Sequence, residues 1–438
     1  MKQLRKRRTG VIFVGIIALI GGLATGRDIF FNITYLVALV LLVSLFWAYN
    51  NINWLHLSRV TRTRRTQVGR PLEERFTIKN TGIVPKLWVE IRDSSSLPNH
   101  FASKVVSSLG SRTSYIWRVN TICRRRGRYR LGPIRLHTSD PFGLFPMHRD
   151  LDPTTNVVVY PMTFDIHQFA LPIGVLPGGD ALRRRTHYTT TNAAGVRDYA
   201  PGDGYGRIHW PSTARRNRLI VKEFELDPLA DIWIVADMAM FSHVVSGPAD
   251  ITNNESLESG QLPAWMRWKD EEYKLPDSTE EYTVAIAASL AQHFIRHDRA
   301  LGLLAYGQTH EMIQPDRGER QINRMLETLA VLRAEGQVAI EDVLDAESHL
   351  FSRGTTIIVI TPSNHETLVS TTRQMSRRGL HLVTILIEPK SFGGYQSSES
   401  LATMMRSANL VTHLIHCKDD ITTALSSTSG RSRYQVVT

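Results

Sequence analysis

Cysteine is nearly missing: 438 residues carry two, Cys123 and Cys417. They lie far apart in sequence and in different predicted domains. That excludes a disulfide framework and offers no zinc-ligand spacing, which suits a reducing compartment. No Gly-x4-Gly-Lys-Ser/Thr loop is present to cradle phosphates, so nothing points to ATP hydrolysis by this chain itself. No Gly-x-Ser-x-Gly elbow positions a nucleophilic serine. His293 and His297 stand four apart on one helix face, as zinc ligands do, but no Glu follows His293 as a metalloprotease base. They read as solvent-facing histidines. There is no internal repeat.

Acidic residues are scarce in the first half. The formal charge of +11 is the sum of +19 over residues 1–228 and −8 over residues 229–438. Such a division suits a basic half near an anionic surface and an acidic half facing elsewhere. Two long apolar runs, 11–25 and 29–49, identify the surface as a membrane. The second is long enough to cross ~30 Å of hydrocarbon, and the first is workable with its flanks. No Ala-x-Ala-like cleavage site is evident, so a helical hairpin is expected over 1–54 rather than a cleaved signal peptide. Trp47, Tyr49 and Trp54 sit where an interfacial aromatic belt belongs. Lys2, Arg5, Lys6, Arg7 and Arg8 precede the hairpin; Arg59, Arg62, Arg64, Arg65 and Arg70 follow it. The positive-inside tendency then puts both ends in the cytoplasm and makes this a multi-pass protein of the inner (cytoplasmic) membrane.

From 58 to 160 short alternating runs alternate with turns. Strands are expected at 75–79, 86–91, 114–119, 127–131 and 156–160, a pattern that argues a β-sandwich of immunoglobulin-like type. Basic residues around Tyr129 have the look of a nucleic-acid face. Beside a membrane hairpin, they read instead as strand positions facing anionic lipid headgroups, worth ~1 kcal/mol each. Nucleic acid is therefore not an expected partner. Residues 161–228 form a long connection. Beyond it, over 229–426, strands and helices alternate: strand 231–237, helix 278–297, strand 300–305, helix 319–333, strand 355–360, helix 364–378 and strand 380–387. That alternation argues a doubly wound α/β sheet. Residues 427–438 are a tail.

Within the connection stands Gly195-Val196-Arg197-Asp198-Tyr199-Ala200-Pro201-Gly202-Asp203, followed by Arg207-Ile208-His209-Trp210, Ala214-Arg215 and Leu219 to Glu225. Ala200-Pro201-Gly202-Asp203 is a strong turn: Pro201 presets φ and Gly202 supplies positive φ. It is able to return Asp203 to Arg197 or Arg207 for bidentate pairing. One reading is a structural clamp in which paired ions and the Trp210 indole lock the connection onto the next domain. The other is a docking surface or anion site.

The Arg-x-Tyr-x-Pro-Gly-Asp core, the Arg-Ile-x-Trp and the basic-aromatic strand together resemble the signature of domain of unknown function family 58. Arg124-Arg125-Arg126-Gly127, Asp140 to Phe145 and Glu281 to Ala291 resemble its pattern too. The resemblance implies a membrane-anchored protein whose second domain is von Willebrand factor A-like, in company with an AAA+ ATPase of the MoxR type. It implies no established activity.

In metal-binding von Willebrand A domains the first strand ends in Asp-x-Ser-x-Ser. Here the residues are Asp237-Met238-Ala239-Met240-Phe241, and Ala239 and Phe241 carry no ligand oxygen. The later acidic ligand is replaced by Thr361-Pro362-Ser363. No metal and no cofactor is expected, and Met240 and Phe241 read as packing or a partner-facing apolar lip. Asp237 and Thr361 still mark the sheet edge where such folds make their contacts. Residues 242–277 form a polar loop over that edge, and Trp265-Met266-Arg267-Trp268 within it reads as a docking motif or a surface-anchoring aromatic pair. The expected function is thus a non-catalytic, membrane-anchored adaptor or scaffold. The rivals are a cation-dependent recognition module and an enzyme using Arg197, Asp203 and Arg207.

Overall fold

The computed structural model describes residues 2–152, 154–169, 193–200, 208–224, 231–244 and 274–426. The chain divides into two compact units, Met1–Pro161 and Met162–Thr438.

The first unit opens with helices α1 (Lys2–Thr25) and α2 (Asp28–Ile52). The 19 residues Arg7–Thr25 and the 25 residues Asp28–Ile52 are long and apolar enough to cross a membrane. Their large side chains, among them Phe13, Leu23, Leu42 and Phe46, are exposed to the surroundings. Small residues let the two helices approach closely: a Cβ at Gly15 would lie 2.9 Å from Val37 Cγ1. The end of α2 is fastened to the strands beyond it. Asn51 Nδ2 donates to Thr138 Oγ1 at 3.2 Å and to the Ser139 carbonyl at 3.0 Å. The buried Lys86 ammonium donates to the Asn50 carbonyl, satisfying one of the orphan acceptors of a helix C-terminus.

Ten strands complete this unit, counted among the described residues: β1 (Leu55–Thr61), β2 (Arg65–Gln67), β3 (Pro71–Asn80), β4 (Val89–Asp93), β5 (Lys104–Val106), β6 (Ser114–Ile122), β7 (Gly127–Leu131), β8 (Ile134–Thr138), β9 (Met147–Leu151) and β10 (Thr155–Tyr160). They form sheets of order β1-β3-β6, β2-β10-β7 and β5-β4-β8-β9. All pairs are antiparallel except β2 with β10. Leu55, Phe76, Ile78 and Trp117 of the first sheet share a core with Val89, Ile91, Val106, Ile134 and Leu136 of the last. Period-2 burial along β3, with Leu72, Glu74, Phe76 and Ile78 inward, is what makes that possible. The strand expected at 86–91 is corrected: β4 begins at Val89, and Lys86 forms only an isolated bridge to Leu109. Lys86 is held by its bond to the end of α2. Strands β2 and β5, three residues each, are too short to leave a readable alternation.

The second unit begins, among its described strands, with β11 (Ala193–Asp198), helix α3 (Trp210–Arg216) and β12 (Ile220–Phe224). The stretch read as a connection therefore contains an antiparallel strand pair. Then come β13 (Ile232–Ala236), α4 (Thr279–Arg296), β14 (Leu301–Tyr306), β15 (His310–Asp316), α5 (Glu319–Val331), α6 (Ile340–Ala346), β16 (Thr356–Thr361), α7 (Thr367–Arg377), β17 (His381–Ile387), α8 (Glu399–Ser407), β18 (Val411–Ile415) and α9 (Ile421–Ser426). Among the described residues the sheet order is β15-β14-β13-β16-β17-β18. It is parallel apart from β15, which pairs antiparallel with β14 at one edge. Every residue of β13 is buried, as a parallel strand covered on both faces requires. Ile232, Ile234 and Ala236 pack with α4 and α5, while Trp233 and Val235 pack with α6, α7 and α8. Because β14 lies on one side of β13 and β16 on the other, the strand order reverses beside β13. The crevice outside the carboxyl ends of β13 and β16 is where such sheets bind.

Candidate functional site

Asp237 comes directly after the last residue of β13, and Thr361 is the last residue of β16. The parallel pairing brings them together, 124 positions apart in sequence: Thr361 Oγ1 donates to Asp237 Oδ2 at 2.6 Å. The Ala239 amide donates to Asp237 Oδ1 at 2.9 Å. Thr361 Oγ1 in turn accepts from the Ser363 amide at 2.8 Å. His243 Nε2 donates to the Asp237 carbonyl at 2.8 Å, and its Nδ1 lies 3.0 Å from Thr279 Oγ1 at the start of α4. Burial pushes the Asp237 carboxyl above the usual carboxylate range, more than the His243 charge and the Thr361, Ala239 and Ser242 donors pull it down. Each carboxylate oxygen thus meets a donor from its own surroundings.

One glycine holds the loop that follows β13. Gly336 donates to the Met238 carbonyl at 2.9 Å and accepts from the Met240 amide at 2.8 Å. A Cβ there would sit 2.0 Å from the Tyr306 carbonyl oxygen. Met240 and Phe241, directly beyond, are 63% and 57% exposed. Among the described residues no group of three His, Cys, Asp or Glu side chains is arranged to hold a metal ion.

The signature residues divide. Gly195 and Arg197 lie in β11, opposite Glu223 and Val221 of β12. Tyr199 is half-buried, and its amide donates to the Leu219 carbonyl at 2.9 Å. Pro201, Gly202, Asp203 and Arg207 lie outside the described residues, and so does the pairing of Asp203 with either arginine. The loop 242–277 is described only at its two ends, and Trp265 to Trp268 fall outside as well. Ile208 bridges Val221, and Pro211 occupies the first turn of α3. Trp210, read as the aromatic of a clamp, is 65% exposed rather than packed. Arg215 and Arg216 are exposed beside it. Arg218 pairs with Asp198 at 3.0 Å in an exposed contact, which contributes little to stability.

One cluster escaped the sequence reading. Arg59 of β1 reaches Glu74 of β3 through two bonds, at 2.7 and 2.9 Å, and Asp93 of β4 at 3.0 Å. His100 Nε2 lies 3.1 Å from Glu74 and 3.2 Å from Asp93, and its Nδ1 lies 2.8 Å from Thr121 Oγ1. All four side chains are at most 2% exposed. Burial alone would raise both carboxyls. Hydrogen bonds from His100, joined by Arg59 for Glu74 and by Ser95 for Asp93, outweigh it and hold both below the usual range. Burial alone would likewise lower His100, but Asp93 and Glu74 raise it. Arg59 is therefore no free cation flanking the hairpin, although its sequence position counts it among them. The signal was available: Glu74 falls in phase with Leu72, Phe76 and Ile78, a carboxylate on the inward face of an alternating strand.

Residues 195–255 match the model of a family described as "Protein of unknown function DUF58". The uncharacterized protein YeaD of Bacillus subtilis (strain 168) is 22% identical over 214 residues, 48% of this chain and 44% of that protein. The chain thus matches less than half the length of this curated relative. Among solved structures, the CARDB domain of a Pyrococcus furiosus protein is 20% identical, with a TM-score of 0.18, over 24% of this chain and 91% of that one. The Pseudomonas fluorescens alkylpurine DNA glycosylase AlkC is 16% identical with a TM-score of 0.18, covering 29% of this chain and 38% of that chain.

Proposed function

We propose that the protein is a non-catalytic adaptor of the inner membrane, anchored by α1 and α2 as a multi-pass hairpin with both soluble units in the cytoplasm. On this reading the first unit is an immunoglobulin-like sandwich facing lipid headgroups, and the second is a von Willebrand A-like domain that works with a MoxR-type AAA+ ATPase. The carrying observation is the crevice at the reversal of strand order. Its buried Asp237 is engaged by Thr361 and Ala239, while Met240 and Phe241 stand exposed at its mouth. A cation held by this edge would have to displace donors already bonded to Asp237, and Ala239 and Phe241 bring no replacement oxygen. An apolar lip beside a closed polar floor favours capture of a protein surface over metal-dependent recognition. The exposed Trp210 and Arg215 of α3 supply a second contact of the aromatic and cationic kind enriched at interfaces.

The test is surface capture of a purified MoxR-type ATPase from the same organism by the full chain in detergent, with and without nucleotide. Capture is expected, and Phe241→Asp or Arg215→Glu should weaken it about tenfold or more with an unchanged melting temperature. An ATPase that binds in no nucleotide state, or binds both variants equally, would overturn the proposal.

A further inference from the structure

Helix α4 lies between parallel strands, so it runs antiparallel to them. Its last turn sits at their amino ends, the edge opposite Asp237. There His293 and His297 bring their ring centroids to 4.4 Å. His293 Nδ1 is 2.7 Å from the Ile166 carbonyl oxygen, and His297 Nδ1 is 2.8 Å from the His293 carbonyl oxygen. A carbonyl only accepts, so both Nδ1 atoms carry a proton, and the neutral form of each ring has its lone pair on Nε2.

Both rings line a cavity of about 250 Å³ that also receives Asp165, His167, Gln292 and Arg296. Arg296 is engaged by Asp165 at 2.7 Å, which offsets its charge. The carbonyl end of a helix itself favours a cation.

We propose that His293 and His297 chelate a borderline divalent cation of the Zn2+, Ni2+ or Cu2+ class through their Nε2 atoms, with water filling the remaining positions. Two histidines one helical turn apart have the spacing that holds zinc in helix-borne sites. A backbone carbonyl on Nδ1 is the outer partner that orients such ligands and raises their basicity. Imidazole nitrogen selects these metals over Mg2+ or Ca2+. Phe294 stands where a hydrolytic site would carry its glutamate, so the site binds metal without activating water for peptide cleavage.

The experiment titrates the chelator-stripped full chain in detergent with Zn2+ and with Co2+, the latter followed by its visible absorption. One site is expected, and His293→Gln and His297→Gln should each weaken it by about tenfold or more, at least the cost of losing an outer partner. His349→Gln, remote from the cavity, should leave affinity unchanged. Affinity should also fall as the pH is lowered, because protons compete with the metal for the imidazole nitrogens. If His293→Gln lowers the metal-free melting temperature through its lost bond to Ile166, His297→Gln decides alone. No uptake, or equal affinity in both histidine variants, overturns the site. So does stabilisation by phosphate instead of metal that disappears in the same variants, which would make the cavity an anion site.

Discussion

Two carboxylates, an arginine and a histidine exclude water together in the first unit, and their charges balance only while His100 is protonated. Removing one partner from such a set leaves a buried charge uncompensated, so Glu74→Ala should cost about 3–5 kcal/mol in chemical denaturation. The pH dependence has two limbs. Glu74 and Asp93 are depressed, so their contribution is present above their unfolded values of about 4 and is lost as pH falls through the folded ones. His100 is raised, so its contribution is full below about 6.5 and is lost as pH rises through its folded value. Melting temperature against pH should therefore fall at both ends, and His100→Gln should flatten the alkaline limb and move the acid limb to higher pH, because Glu74 and Asp93 lose the hydrogen bonds that depress them. An alkaline fall of equal size in the variant would remove His100 from this role.

The elements around the crevice are held by backbone more than by side chains. Between α5 and α6, Gly336 inserts its peptide against Met238, Met240 and Tyr306, in a space where no Cβ fits. Gly336→Ala must push β14 and the loop after β13 apart, at a cost of about 3 kcal/mol. Hydrogen exchange should quicken at residues 238–240 and 304–306 while residues 381–387 stay protected. Uniform exchange across the sheet would mean that the insertion does not hold this edge. The same logic explains the joint after α2, where Asn51 and Lys86 fasten a helix end to strands by satisfying groups that would otherwise be buried without partners.

For the molecule as a whole, the basic flanks of the hairpin bear on orientation. Arg59, committed to Glu74 and Asp93, drops out of the cations after the hairpin. Arg62 pairs with Glu73 at 2.7 Å in an exposed contact. Lys2, Arg5, Lys6, Arg7 and Arg8 on the other flank still outweigh the Arg27-Asp28 connection, so both ends are expected in the cytoplasm. A reporter active only in the periplasm, fused after Thr438, should be silent, and a cytoplasmic reporter should work. A periplasmic signal would reverse the topology.

Periodicity and composition by themselves determined the two apolar helices, the change to short strands after them, and the alternation that becomes the parallel sheet. These are properties of neighbouring residues, written in local runs of apolar side chains. The same local reading found Asp237, the carboxylate at which an apolar run stops, whereas Thr361 was marked only by resemblance to the von Willebrand A pattern. Only tertiary structure decided that those two share a hydrogen bond, that β14 and β16 flank β13, and that Gly336 closes the edge above them. It alone joined Arg59, Glu74, Asp93 and His100, which come from separate strands and a loop. Contacts between distant residues depend on strand order and register, and neither leaves a period in the chain. Nor does any local pattern say which nitrogen of His293 or His297 holds the proton; the carbonyl opposite each ring decides it.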